Sequence, residues 1–321
     1  MKKITLGRTN EDVSIISLGA WSHGKQNTSG GHNVGWSNQS DLDSINALKK
    51  SFSLGLNHWD TADVYGEGHS EKIIGSMWKE ISRESIFLAT KVGWDKGPYK
   101  QWYEPSYIKE KVEQSLQNLK TDYIDLLYLH HCNFGNNDEM LEGALEIINQ
   151  FKEDGKIRFI GLSDWSSARI MKFIKFVDPD VIQTLYNVLD VEYETSGLKD
   201  YVKTNNLGVC FFSPIKHGIL TGKYNSITDF PKGDFRKSIK EFQDIDFIKK
   251  MQINRKKVDE KFSHFGENAI MHALLGSILF DNPTGCALLG QRNESQAAAA
   301  GELGERITKE ETSWVFSLYR N

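Results

Sequence analysis

Four residues of different chemistry close short apolar runs or lie just beyond them: Asp60, Lys91, His130 and Tyr65, the last inside Asp60-Thr61-Ala62-Asp63-Val64-Tyr65-Gly66. An ionisable side chain at the end of an apolar run is costly to bury unless it is paired or used. Lys91 needs a counter-charge, and Asp60 can supply it. An ammonium beside a phenol favours phenolate, so Lys91 is expected to pull Tyr65 below its usual value of roughly 10. Such a tyrosine can give its proton to a developing alkoxide, while His130 hydrogen-bonds the same oxygen and shares its charge. None of the four is a hydride source, so carbonyl reduction built on them requires a nicotinamide cofactor.

Neighbouring polar residues read as structural. Asp63 is expected to cap or orient the turn before Tyr65. His131 follows His130 directly, and adjacent strand residues face opposite sides, so His130, His131 and Cys132 cannot readily share one ion. No H-E-x-x-H occurs, and no metal is expected. The run His217–Lys223 has only three residues between Gly218 and Gly222, the wrong spacing for a nucleoside-triphosphate loop.

The elements that must position these groups alternate. Apolar runs lie at Asn57–Asp60, Ile86–Val92, Ile124–Leu129, Ile157–Leu162, Val181–Thr184, Gly208–Phe212 and Cys286–Leu289, with an eighth at Ile15–Ala20. Short runs apolar nearly throughout suit strands buried on both faces of a parallel sheet. Amphipathic stretches separate them, at Asp41–Leu54, Ile108–Leu119, Met140–Phe151 and Ile170–Val177. Gly55 and Gly155 stand as stops, Pro105-Ser106 and Ser166-Ser167 as starts. About eight strand–helix units point to an α/β protein, a (β/α)8 TIM barrel in a single domain over residues 1–321; pattern alone also permits an open doubly wound sheet. Three irregular stretches, 22–39, 93–104 and 222–245, follow strand C-terminal ends, the face where barrel enzymes build their sites. They or the strand ends carry Trp21, Trp36, Trp94 and Trp165, a possible apolar or sugar-stacking wall, with Trp21 the first choice because it follows a strand directly.

Composition narrows the setting. The chain has 321 residues, and 39 Lys+Arg against 43 Asp+Glu leave a net charge of −4. That balance gives no reason to expect nucleic acid or an anionic membrane as partner. Cys132, Cys210 and Cys286 are far apart, which fits reduced core thiols and a cytoplasmic location. There is no signal-like apolar segment and no run long enough to span a bilayer. The partner is expected to be a small molecule; oligomeric state is not readable.

Several segments together resemble the aldo-keto reductase superfamily: Asn57–Gly75 (NHWDTADVYGEGHSEKIIG), Leu88–Gly93 (LATKVG), Asp122–His131 (DYIDLLYLHH), Ile157–Ser166 (IRFIGLSDWS), Val181–Asn187 (VIQTLYN) and Gly208–Tyr224 (GVCFFSPIKHGILTGKY). The resemblance runs in the family's order over nearly the whole chain. It implies a (β/α)8 barrel that binds NAD(P)H across its C-terminal face. It implies Tyr65 as general acid, Asp60 and Lys91 as its supporting pair, and His130 as a second donor. Ser163, Asp164 and Gln183 match positions that hold the nicotinamide carboxamide, and Phe212 the aromatic that stacks on the ring. Ser213, Pro214, Ile215, Gly218, Leu220, Gly222 and Lys223 match the loop around the pyrophosphate, while Ala20 and Trp21 would border nicotinamide and substrate. Gly290, Arg292 and Gln296 match the adenosine-phosphate segment.

Three positions depart from the family pattern. Asp164 replaces the usual Asn, and a carboxylate accepts a carboxamide N–H but cannot donate to its oxygen. Phe212 stands where Tyr or Trp is common. Ala299-Ala300 replaces the Glu-Asn that commonly contacts adenine. Arg292 suits a 2′-phosphate, which favours NADP(H) with NAD(H) possible. The implied reaction is reduction of an aldehyde or ketone to an alcohol, or its reverse. Alternatives are a nucleotide-binding regulatory subunit with little turnover, and a sugar-modifying enzyme that uses bound NAD transiently.

Overall fold

The parallel-sheet reading has a direct structural test, because eight mutually paired strands must either close or leave two edges. The computed structural model, which describes residues 1–29 and 32–321, closes them. In chain order the strands are Ile16–Gly19, His58–Asp60, Phe87–Val92, Ile124–Leu129, Ile157–Asp164, Val181–Leu185, Gly208–Phe212 and Gly285–Gly290. Each pairs in parallel with its sequence neighbours, and the last pairs with the first. Phe87–Val92 and Ile124–Leu129 are buried at every residue, as burial on both faces requires. All eight contain or overlap the runs read from sequence, and the open-sheet alternative falls away.

Local chemistry sets the helix limits. The Ser40 side chain accepts the Asp43 N–H at the start of Asp41–Ser53, and Ser166 accepts the Arg169 N–H at the start of Ser167–Val177. Pro105 is the first residue of Pro105–Leu119. The charged stretch near 249–261 lies in Ile245–Lys261, which buries Ile248, Met251, Asn254 and Val258. None of the described helices is long and apolar enough to cross a membrane.

One element was not legible. Lys3–Thr5 and Asp12–Ser14 pair as an antiparallel hairpin, too short for alternation to register. Its turn seals the end of the barrel away from the site: Gly7, at φ +53°, lies so close to Leu207 and Gly208 that a Cβ would fall 2.2 Å from the Gly208 nitrogen.

Inside the cylinder, a layer of side chains supports the site from below. Tyr128 Oη donates to Cys210 Sγ at 3.3 Å, the Cys210 and Cys286 sulfurs are 3.3 Å apart, and His58 Nδ1 meets Ser17 Oγ at 2.8 Å. Gly161 makes room for the Tyr128 ring, since a Cβ there would lie 2.2 Å from it. Gly161→Ala is expected to overpack this layer and cost about 1–3 kcal/mol, measured as a lower urea midpoint with unchanged m-value.

Candidate active site

The second and third barrel strands end side by side, and this adjacency makes the ion pair. Lys91 Nζ donates to Asp60 Oδ1 at 2.5 Å, to the Thr61 carbonyl at 2.7 Å and to Tyr65 Oη at 3.4 Å. The other Asp60 oxygen accepts from Gln183 Nε2 at 2.8 Å, across the barrel. Lys91 is only 1% exposed. Burial, the largest influence, opposes its charge, yet the Asp60 carboxylate and the Tyr65 oxygen outweigh it and hold the amine above its ordinary value.

The expected effect of Lys91 on Tyr65 is corrected by the structure. Lys91 does pull the phenol down, but burial is larger, and the net displacement is upward from 10.0. The hydroxyl therefore keeps its proton throughout the neutral range, the form a proton donor needs. His130 stands edge-on to Tyr65, ring centroids 6.0 Å apart. Burial, then the positive charge of Lys91, holds it well below 6.5, so it is a neutral imidazole. Its Nδ1 is buried without a hydrogen-bond partner among the described residues.

Asp60, Tyr65 and His130 line one end of a cavity of about 500 Å³, with Lys91 buried behind them. Trp21 and Trp94 flank them, 6.1 Å from Tyr65 and 5.2 Å from His130. Along the wall follow Ser163, Asp164, Gln183 and Phe212, then Ser213, Pro214, Ile215, Gly218 and Lys223, and finally Gly290, Arg292 and Gln296. Four expected residues are not on the wall: Lys91 is enclosed beneath it, 1% exposed, and three more lie behind it. Ala20 and Leu220 are fully buried behind it, and Gly222 backs onto Met251 and Arg255.

One sequence reading needs further correction. The Asp63 carboxylate caps nothing: neither oxygen has a hydrogen-bond partner among the described residues, and Lys111 Nζ stands 3.8 Å away. Burial lifts this carboxyl to about 7. Asp164 is held by its own backbone surroundings, Oδ2 accepting the Cys132 N–H at 2.7 Å and Oδ1 the Ser166 N–H at 2.9 Å. His131 does lie off the cavity, enclosed by Trp94, Trp102 and Tyr103.

Sequence reasoning also missed part of the wall. Residues 34–37 and 234–236 meet over the cavity: Phe235 N–H donates to Gly35 O, and Ser37 Oγ to Asp234 Oδ2 at 2.6 Å. The junction adds Phe235 and Arg236 to the lining, along with His217 and Arg255. Arg236 is clamped to Asp234 by two guanidinium hydrogen bonds, at 2.9 and 2.8 Å. Arg292 reaches the same strap through the Ser37 and Asn38 carbonyls and Gln39. Only the aromatic and basic residues within otherwise polar loops signalled them.

An eight-stranded barrel with Asp, Lys, Tyr and His gathered at its C-terminal mouth defines a barrel oxidoreductase site. The chain belongs to the Aldo/keto reductase family, whose family model matches residues 15–306. It is 35% identical to the aldo-keto reductase yakc [NADP(+)] of Schizosaccharomyces pombe, over 64% of this chain and 62% of that protein. It is 33% identical to the NADH-specific methylglyoxal reductase of Escherichia coli, over 69% of this chain and 70% of the relative. The glycerol dehydrogenase of Gluconobacter oxydans superimposes with a TM-score of 0.79 at 26% identity, covering 98% of this chain and 94% of that one.

Two predictions concern stability. Lys91→Met strands the buried Asp60 carboxylate and is expected to cost about 3–5 kcal/mol, read as a fall in the denaturant midpoint. Burial also holds His23, His131 and His217 down to about 4. The unfolded chain protonates such groups near 6.5, so it binds more protons between those values, and stability should fall as pH drops from about 6.5 toward 4. Asp63, lifted to about 7, and Glu71, also lifted by burial, act in the opposite sense. Urea midpoints at pH 7.5 and pH 5 check the balance, with the lower midpoint expected at pH 5.

Proposed function

We propose that this chain reduces small aldehydes or ketones to alcohols with NAD(P)H, using Tyr65 as the proton donor. The observation that carries the reading is the convergence of Asp60, Tyr65 and His130 at one end of a single cavity, with Lys91 bonded to Asp60 and Tyr65 from behind. Asp60 keeps Lys91 charged, and Lys91 lowers the cost of the phenolate that remains after Tyr65 gives up its proton. His130, neutral and beside Tyr65, offers a hydrogen bond to the substrate oxygen without competing as an acid. A bound reduced nicotinamide supplies the hydride.

The rest of the wall suits such a dinucleotide. Ser163, Asp164 and Gln183 present polar groups and Phe212 an aromatic face near the catalytic end, while Lys223, Arg255 and Arg292 bring positive charge to the other. Arg292 spends Nε and Nη2 on the strap, and its Nη1 makes none of those bonds. This supports NADP(H) above NAD(H), both of which appear in the names of relatives. Three buried free thiols support a cytoplasmic setting. The whole chain, 1–321, serves as one barrel domain, with small molecules as its partners.

Tyr65→Phe is expected to keep NADPH affinity, measured by fluorescence titration, and to lose about 10²–10⁴ in the rate of NADPH oxidation with a simple aldehyde. A variant that turns over at the wild-type rate removes Tyr65 from the acid role.

A further inference from the structure

The turn that carries Tyr65 also buries a carboxyl that the proposed reaction does not use. Asp63 is 4% exposed, and neither of its oxygens finds a hydrogen-bond donor among the described residues. A cation stands near it: Lys111 Nζ lies 3.8 Å from Asp63 Oδ2 and also 3.8 Å from Asp95 Oδ2. One ammonium is thus shared between carboxylates of two segments, outside hydrogen-bond reach of both. An Asn of the same shape would spare the burial of a charge, so a carboxylate here calls for a reason other than stability.

The two partners of Lys111 lead to different members of the site. The Asp63 N–H donates to the Lys91 carbonyl at 3.1 Å, and Tyr65 follows two residues later, its N–H donating to the Ala62 carbonyl. Asp95 follows Trp94, whose ring centroid lies 5.2 Å from that of His130. The segment beyond Trp94 is fastened to the helix Pro105–Leu119, which also carries Lys111. Tyr107 Oη donates to Asp95 Oδ2 at 2.7 Å, and the Gly97 N–H donates to Asp95 Oδ1 at 2.9 Å. Lys111 Nζ rests 5.7 Å from the Tyr107 ring centroid. A bridge from Asp63 through Lys111 to Asp95 therefore joins the turn of the phenol to the segment beside the imidazole.

Building on the proposed function, we propose that Asp63 and Lys111 are positioning residues for the reduction: their attraction holds the Tyr65 turn and the Trp94-Asp95 segment in one relative placement, and loss of the Asp63 charge loosens it. The bridge has two arrangements. With Asp63 ionised, Lys111 is drawn to both carboxylates. With Asp63 protonated, Lys111 answers to Asp95 alone. Asp95 stays charged in both, because burial opposes its charge but the Gly97 N–H, the Tyr107 hydroxyl and Lys111 outweigh it and keep its carboxyl low.

The change between the two falls in the neutral range. Burial lifts Asp63 to about 7 against the pull of Lys111, and the charges of Glu71 and Asp95 add to the rise. Glu71, itself raised by burial, comes from the helix His69–Gly75 and accepts from Thr90 Oγ1 at 2.7 Å and Asn118 Nδ2 at 3.0 Å. Lys91, on the adjoining strand, is bonded to Asp60. Burial lifts the phenols of Tyr65, Tyr103 and Tyr107 above 10 and holds His130 and His131 below 6.5, so these groups are neutral on both sides of the change. Replacing Asp63 separates its titration from that of Glu71.

The test is a pH profile of NADPH oxidation with glyceraldehyde, run on the full chain from about pH 5.5 to 9. The wild-type kcat is expected to drop about tenfold as pH falls through about 7, with KM for NADPH unchanged. Asp63→Asn should sit at the low value throughout, while its urea midpoint at pH 8 is no lower than that of the wild type; a merely structural carboxylate would lose both together. Lys111→Met should fall to the same level, Lys111→Arg should keep the wild-type profile, and the double variant Asp63→Asn, Lys111→Met should lose no more than either single one. Tryptophan fluorescence of the substrate-free protein should show the same inflection, absent from Asp63→Asn and from Trp94→Phe. An Asp63→Asn protein that keeps the wild-type kcat and profile, or that loses activity only together with stability, overturns the positioning role and leaves the proposed function standing. So do losses that add in the double variant. Absence of turnover at every pH, in a protein that binds NADPH, overturns the proposed function and this role with it.

Discussion

A lysine and an aspartate enclosed together at the mouth of the barrel form the interaction on which the site depends. Neither charge survives there alone. Lys91 is 1% exposed, and burial by itself would neutralise it. The pair persists because the second and third strands are neighbours in parallel register, Asp60 opposite Ala89 and thus two residues before Lys91. The Thr61 carbonyl and the Gln183 amide occupy further hydrogen-bonding positions of the pair. A buried ion pair is weak evidence for stability, because desolvation consumes most of the attraction. It fixes geometry instead, holding one ammonium against one phenol.

That arrangement explains why the phenol behaves differently from the simplest sequence argument. Proximity to a cation predicts a lowered tyrosine, but the enclosure that sharpens the cation's effect also penalises phenolate. Burial wins for Tyr65 as it stands, and the proton stays on. On the proposed function, Lys91 matters at the moment of transfer, when negative charge on Tyr65 Oη would otherwise face an apolar wall. A charge prepared for a later state of its neighbour is electrostatic preorganisation, and removing it should damage both fold and rate.

Much of this was legible from the sequence because the barrel strands leave strong local traces. Phe87–Val92 and Ile124–Leu129 are largely apolar runs, and Asp60, Lys91 and His130 mark their ends or those of a neighbour. Other features arise only through tertiary contact. The hairpin of Lys3–Thr5 and Asp12–Ser14 is too short to show periodicity. Asp63 has the sequence of a turn cap, yet its carboxylate faces Lys111 on a helix almost fifty residues away. Ser37 and Asp234 lie in separate polar loops, and nothing in either loop announces that they bond. Ala20, Leu220 and Gly222 were placed by motif, which locates a loop without stating which of its residues face the cavity.

The strap joins these points into one electrostatic design. Asp234 accepts from Ser37 and from both sides of the Arg236 guanidinium, and this pairing holds its carboxyl low. It thereby fixes Trp36 above the cavity and compensates one of the cations there. The proposed cofactor carries several negative charges and needs cations at its far end. The ion pair beneath Tyr65 requires the opposite, a surrounding free of competing charge, because a stray anion near Lys91 would compete with Asp60. Trp21 and Trp36, packed edge-on and held by the strap, let one continuous cavity satisfy both conditions.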